Sequence, residues 1–168
     1  MKTGLFIGRF QPFHLGHLSV IKQMEQECDE LIIAIGSAQY GFYDKNPMTG
    51  GERLEAISKV LRKEIKKTFC IVPVEDINCY PKYAAHIKSM VPSFSAVYTG
   101  NEIIAELFRA EGYEVRDVPS AVRISATDIR KAIGEGREWK HFVPEEVHDF
   151  LVKNKIDERI RRLMRNEQ

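Results

Sequence analysis

His14 and His17 stand three residues apart in the segment Gly8-Arg9-Phe10-Gln11-Pro12-Phe13-His14-Leu15-Gly16-His17, which follows an apolar run and opens an amphipathic one. Leu5, Phe6 and Ile7 read as a short buried strand, and Pro12 breaks any helix before it. Leu15, Leu18, Ile21 and Met24 then recur at helical spacing, so the two histidines straddle a helix start. Three residues apart there, they lie near one face. Free backbone N–H groups and the positive end of the helix dipole attract anions at that place. Two imidazoles, the Arg9 guanidinium and a helix N-terminus can together neutralise charge on a triphosphate as it reacts, without supplying a covalent nucleophile. Gly16 in the first turn suits close backbone approach by a ligand.

A second cluster lies at Ile124-Ser125-Ala126-Thr127-Asp128-Ile129-Arg130. Ser125 or Thr127 can cap a helix there, and Arg130 follows one turn later. A capped N-terminus still has N–H groups for a phosphate, so one site can use all three residues. The connection from Gly36 to Gly50, with Ser37, Gln39, Tyr40, Lys45 and Pro47, exceeds the usual strand-to-helix loop and suggests a substrate loop or lid. Just beyond it, Arg53 either forms a surface pair with Glu52 or reaches a phosphate. Gly8-Arg9-Phe10 lacks the glycine spacing of a dinucleotide fingerprint, and no GxxxxGK[ST] segment exists, so neither a dehydrogenase nor a P-loop enzyme is supported.

The elements that must position these groups alternate along the chain. Leu31 to Ile35 reads as a second strand, Gly51 to Lys63 as a helix with Leu54, Ile57, Val60 and Leu61 inward, and Phe69 to Val74 as a third strand. Pro81 can start a helix through Met90, Ala96 to Tyr98 forms a strand, Glu102 to Glu111 a helix stopped by Gly112, and Tyr113 to Val118 another strand. Short apolar runs separated by helical periods predict βαβ units, hence a Rossmann-like, doubly wound parallel sheet of about five strands with C-terminal helices. Ligands of such sheets sit outside the carboxyl ends of the strands near the switch in strand order, where Gly8 to His17 would emerge.

Length and composition fit one domain over residues 1–168: 168 residues with 43% hydrophobic content are enough for one core and too few for two full domains. The 25 basic and 24 acidic side chains nearly cancel, so no global field recruits nucleic acid or an anionic membrane, and an anion site must be local. Cys28, Cys70 and Cys79 are odd in number and lack CxxC spacing, which argues against a disulfide framework or a zinc site and favours a reducing cytoplasm. No run of about 18 apolar residues could span a bilayer. No carboxylate cluster marks a metal site on the protein. Trp139, beyond the second cluster, reads as core. The basic C-terminus, including Lys153, Lys155, Arg159 and Arg161, reads as a solvated helical face.

His14-Leu15-Gly16-His17 resembles the HxGH motif of the nucleotidylyltransferase superfamily, whose members move a nucleoside monophosphate from a triphosphate onto another phosphate. The segment from Ile124 to Arg130 resembles that superfamily's second motif. Gly8-Arg9-Phe10-Gln11-Pro12-Phe13-His14 with Gly36-Ser37-Ala38-Gln39, Gly51-Glu52-Arg53 and Tyr98-Thr99-Gly100-Asn101 narrows the likeness to the archaeal nicotinamide-nucleotide adenylyltransferases, across nearly the whole chain. The resemblance implies a cytoplasmic enzyme that joins ATP and nicotinamide mononucleotide into NAD and pyrophosphate by direct attack on the α-phosphorus. It implies a divalent cation, usually magnesium, carried mainly on the ATP phosphates. It also implies a homo-oligomer, commonly a hexamer.

By the same resemblance, His14, His17 and Arg9 are catalytic, and Gly8, Arg9, Phe10, His14, Gly16, His17, Ser125, Thr127 and Arg130 hold ATP. Gly36, Ser37, Arg53, Tyr80, Tyr83 and Asn101 hold the mononucleotide. The nucleophile is an ionised phosphate, so alignment and charge neutralisation suffice without a general base. Tyr83 stands where close archaeal relatives have a Trp against nicotinamide, and its aromatic face can stack on a pyridinium. Ala126 replaces a Gly of the second motif. Two other readings stay open: a sister transferase acting on pantetheine phosphate or flavin mononucleotide, and a nucleotide-binding regulator without turnover.

Overall fold

A computed structural model of the chain describes residues 1–118 and 124–165. The strands are β1 (Thr3–Gly8), β2 (Glu30–Ile35), β3 (Thr68–Pro73), β4 (Ala96–Thr99) and β5 (Glu114–Asp117). Between them run α1 (Leu15–Glu27), α2 (Gly50–Glu64), α3 (Tyr83–Met90) and α4 (Glu102–Ala110). After them come α5 (Ala126–Gly134), α6 (Glu145–Lys153) and α7 (Ile156–Arg165). All strand pairings are parallel, in the order β3-β2-β1-β4-β5. The five-stranded Rossmann-like sheet read from the sequence is the sheet observed.

Side-chain alternation sorts the central strands between two apolar layers. Phe6, Leu31, Ile33, Ile35, Ala96 and Tyr98 point to the face covered by α1, α2, α5, α6 and α7. Leu5, Ile32, Ala34 and Val97 point to the opposite face, under Ala84, Ile87, Ile104 and Phe108 of α3 and α4. Trp139 lies in the first layer, as its sequence context suggested. The helix expected from Pro81 divides: Tyr80–Lys82 form a 3-10 turn with Pro81 near its start, and α3 begins at Tyr83. Among the described residues, no helix is long and apolar enough to cross a membrane.

Candidate functional site

Chain order reverses between β1 and its neighbour β4, which splits the carboxyl ends of these strands into a crevice. A cleft of about 760 Å³ opens there, lined by residues that follow β1, β2, β3 and β4, a size that suits a small-molecule ligand. The end of β1 is shaped for it. Gly8 admits no side chain, since a Cβ would come within 2.8 Å of the Phe10 ring, and Phe10 turns the chain with a left-handed φ of 52°.

His14 caps α1 through its ring: Nδ1 accepts the Gly16 N–H at 3.1 Å, while His17 Nδ1 accepts the His14 N–H at 3.1 Å. The two rings stack at 3.6 Å. A ring nitrogen that accepts an N–H carries no proton, so each neutral imidazole keeps its hydrogen on Nε2 as a donor. Both residues line the cleft. Burial lowers the His14 pKa to about 4. Burial, and then the neighbouring His14, hold His17 well below its ordinary value. In the free protein both rings are therefore neutral at pH 7.

Arg9 is exposed on the cleft wall, and two further guanidinium groups lie near it. Arg53, fully buried, donates from Nη1 to the carbonyls of Arg9 (2.9 Å) and Gly36 (2.8 Å). Its Nη2 donates to Ser37 and Tyr40, and its Nε to Thr49. Arg130, also buried, donates to the Gln11 carbonyl at 2.8 Å and to Thr127 Oγ1 at 3.3 Å, and its Nε has no partner among the described residues. Burial lowers both pKa values, Arg53 to about 10, and the charge of Arg9 lowers each further. Three cations that disfavour one another gather beside the histidines, an arrangement that an anion relieves.

Two assignments change here. Arg53 does not reach the cleft as a phosphate or mononucleotide ligand: all five of its N–H donors are spent on backbone carbonyls, so it braces the loops after β1 and β2. The Phe10 side chain, 2% exposed, packs on Phe6, Phe13 and the His17 ring in the core, and Phe10 is not among the residues of the cleft wall. Among the described residues, Ser125, Thr127 and Arg130 are also off the cleft wall. Ser125 caps α5, its Oγ accepting the Asp128 N–H at 3.1 Å, and Arg130 joins this helix to the Gln11 carbonyl behind the histidines.

The cleft wall that follows β2, β3 and β4 differs in character: Ser37, Tyr80, Tyr83 and Asn101 line it, together with Glu75 and Asp76. Asn101 spends its carbonyl oxygen on the N–H groups of Ile103 and Ile104, which leaves its NH2 as the group to offer a ligand. Tyr83 packs edge-on against Phe108 with ring centroids 6.5 Å apart, and burial pushes its phenol up to about 12. Asp76 is fixed by the Asn78 N–H at 2.8 Å and by Ser37 Oγ at 3.3 Å. Sequence reasoning missed the acidic pair, because carboxylates after a strand look like any solvated turn. It also passed over Gln11, whose amide exchanges two hydrogen bonds with the Met48 backbone, 37 residues away. Among the described residues, no group of three or more His, Cys, Asp or Glu side chains could hold a metal ion.

The cytidylyltransferase-like family profile matches residues 5–132. The chain is 42% identical over 168 residues to a nicotinamide-nucleotide adenylyltransferase of Thermococcus onnurineus, covering 98% of this chain and 90% of that one. It is 42% identical to the protein of the same name from Pyrococcus furiosus, covering 99% and 91%, and 40% identical to that of Methanothrix thermoacetophila, covering 99% of each. A crystal structure of a bifunctional NMN adenylyltransferase/ADP ribose pyrophosphatase from Francisella tularensis, complexed with AMP and a manganese ion, superposes with a TM-score of 0.79 at 23% identity. The match covers 96% of this chain and 51% of that one, a likeness of fold.

Proposed function

The chain belongs to the cytidylyltransferase-like family and, within it, to the nicotinamide-nucleotide adenylyltransferases, and from that footing we propose how its cleft divides the work. The enzyme transfers AMP from ATP to nicotinamide mononucleotide and forms NAD and pyrophosphate. The triphosphate lies at the end of the cleft bearing His14, His17 and Arg9. The acceptor lies at the end bearing Asp76, Tyr80, Tyr83 and Asn101. The observation that carries this division is the contrast in charge along the wall: Arg9 beside the histidines, with the buried Arg53 and Arg130 behind it, against Glu75 and Asp76 after β3. A triphosphate suits the first, and a positively charged pyridinium suits the second.

An oxygen of the mononucleotide phosphate forms the new bond to the α-phosphorus. The bond from that phosphorus to the bridging oxygen breaks, and pyrophosphate leaves with the electron pair. The Nε2–H groups of His14 and His17 donate to the oxygens on which charge develops, Arg9 neutralises the same region, and no side chain is covalently modified. The buried charge of Arg130 supports the pyrophosphate side through the Gln11 carbonyl and the capped start of α5 with Ser125 and Thr127. A divalent cation, magnesium in this reading, would be carried by the nucleotide and would add to the neutralisation of phosphate charge that Arg9, His14 and His17 provide. The described residues suit an ion held by the nucleotide rather than by a protein cage. The same reading makes the protein a cytoplasmic homo-oligomer, with a hexamer expected by light scattering.

Incubation with ATP, magnesium and one acceptor at a time tests the substrate assignment. NAD and pyrophosphate are expected with nicotinamide mononucleotide. Product formed only with flavin mononucleotide or pantetheine phosphate would replace the acceptor, and nucleotide binding without pyrophosphate release would make the protein a regulator.

A further inference from the structure

The thirteen residues of the connection 37–49 form neither helix nor strand, and the loop bends at two left-handed residues, Ser37 (φ 50°) and Phe42 (φ 63°). Three clasps hold it. Arg53 ties its beginning and end to the Arg9 carbonyl from within, and the Gln11 amide ties Met48. The third clasp comes from α7, beyond the residues that the family profile matches. Arg159 forms a fork on Glu52, with both N–O distances 2.8 Å, donates to the Pro47 carbonyl at 3.0 Å, and lies 3.9 Å from the centre of the Phe42 ring.

These contacts continue inward without a gap. Pro47 precedes Met48, Met48 exchanges two hydrogen bonds with Gln11, and the Gln11 carbonyl receives Arg130. Glu52 also caps α2 by accepting the Thr49 N–H at 2.9 Å. The Arg159 side chain is only 13% exposed, so this is a packed clasp rather than a surface ion pair, and a planar fork over an aromatic ring is geometry that lysine cannot reproduce. The C-terminal helix thus grips the outer side of a loop whose inner side meets the phosphate-binding turn.

We infer that Arg159 is a positioning residue for ATP: from the C-terminal helix it fixes the Pro47–Thr49 end of the 37–49 loop in register with Gln11 and Arg130, and so tunes the triphosphate end of the cleft, while the Ser37 end of the loop is held separately by Asp76 at the acceptor end. This rests on the division of the cleft proposed above. Arg159→Ala and Arg159→Lys test it, with Phe42→Ala as a variant at a 57% exposed ring whose removal opens no core.

Affinity for a non-hydrolysable ATP analogue is measured by calorimetry, and trypsin nicking after the exposed Lys45 reports the loop directly. Arg159→Ala should weaken analogue binding by about 5–20-fold, as loss of a charged fork and a cation–π contact predicts. Affinity for nicotinamide mononucleotide should stay within about twofold of wild type, nicking should quicken, and Arg159→Lys and Phe42→Ala should fall between. Millimolar guanidinium should restore part of the Ala variant's affinity. A lower Tm with unchanged analogue affinity would overturn the inference. Failure of the wild type to form NAD would count against the assigned reaction instead, because neither the analogue titration nor the nicking needs turnover.

Discussion

The His14 and His17 rings lie 3.6 Å apart and 23° from parallel, and each holds a backbone N–H of the same helix start on its Nδ1. Capping and catalysis are therefore one arrangement: the hydrogen bonds that finish α1 also fix which nitrogen of each ring faces the cleft as a donor. Gly16, between the two histidines in the first turn, also borders the cleft. The pair is costly to charge in the free protein, and a polyphosphate lowers that cost.

From this geometry His17→Ala should lower kcat by roughly 10²–10³, about 3–4 kcal/mol, because it removes an oriented donor to developing phosphate charge. Steady-state kinetics on the folded variant measure it, and an unchanged kcat would make His17 a structural cap only.

The depressed histidine pKa values also set a pH dependence. Between pH 6.5 and about 4 the unfolded chain takes up a proton that folded His14 refuses. The unfolded state then binds more protons, so this contribution to stability is whole above about pH 6.5 and is lost as the pH falls toward 4. It amounts to about 3 kcal/mol for His14, and the lowered His17 acts in the same direction. Urea denaturation at pH 7.5 and 4.5 should show a smaller acid loss for His14→Gln than for wild type. ATP reverses the preference, so binding near pH 6 should take up protons, seen as calorimetric heats that change with the ionisation enthalpy of the buffer.

Most of the fold was legible because β1, β2 and β4 are apolar runs buried between two helical layers, and α1, α2 and α4 carry their apolar residues at helical spacing. The histidine pair was legible because it is local: cap, glycine and both rings fall within four residues. Arg53 was assigned to the mononucleotide by resemblance, with a surface pair to Glu52 as the other reading, because its sequence neighbours show neither its burial nor its partners. In the fold Glu52 turns to Arg159, 107 residues away, and Arg53 turns inward to carbonyls of three separate segments. Gln11 was missed for the same reason, since its partner Met48 is 37 residues away and no spacing rule joins them.

Arg53 as a brace predicts stability effects before catalytic ones. Arg53→Met strands five buried carbonyl contacts and should cost about 3–5 kcal/mol in urea denaturation. A variant of wild-type stability with a raised KM for ATP would restore the phosphate-binding role that its sequence context allowed.

Arg130 has a buried Nε without a partner among the described residues and two N–H groups committed to Gln11 and Thr127. Arg130→Ala should raise the KM for ATP more than that for the mononucleotide, since it supports the pyrophosphate side. Titrations with weakened mononucleotide binding and intact ATP binding would reverse the two ends of the cleft.

Tyr83 tests the acceptor end. Its ring forms a T-shaped pair with Phe108 and also borders the cleft, so in this reading its aromatic surface rather than its hydroxyl meets the pyridinium. Tyr83→Phe and Tyr83→Trp should keep near-normal affinity for nicotinamide mononucleotide, whereas Tyr83→Ala should lose roughly 1 kcal/mol or more, the scale of aromatic and cation–π contacts. ATP affinity should barely change. Calorimetric titration of each variant with both ligands decides it. Equal mononucleotide affinity in the Ala and Trp variants would remove Tyr83 from recognition, and the exposed ring of Tyr80 with the fixed carboxylate of Asp76 would then have to hold the nicotinamide.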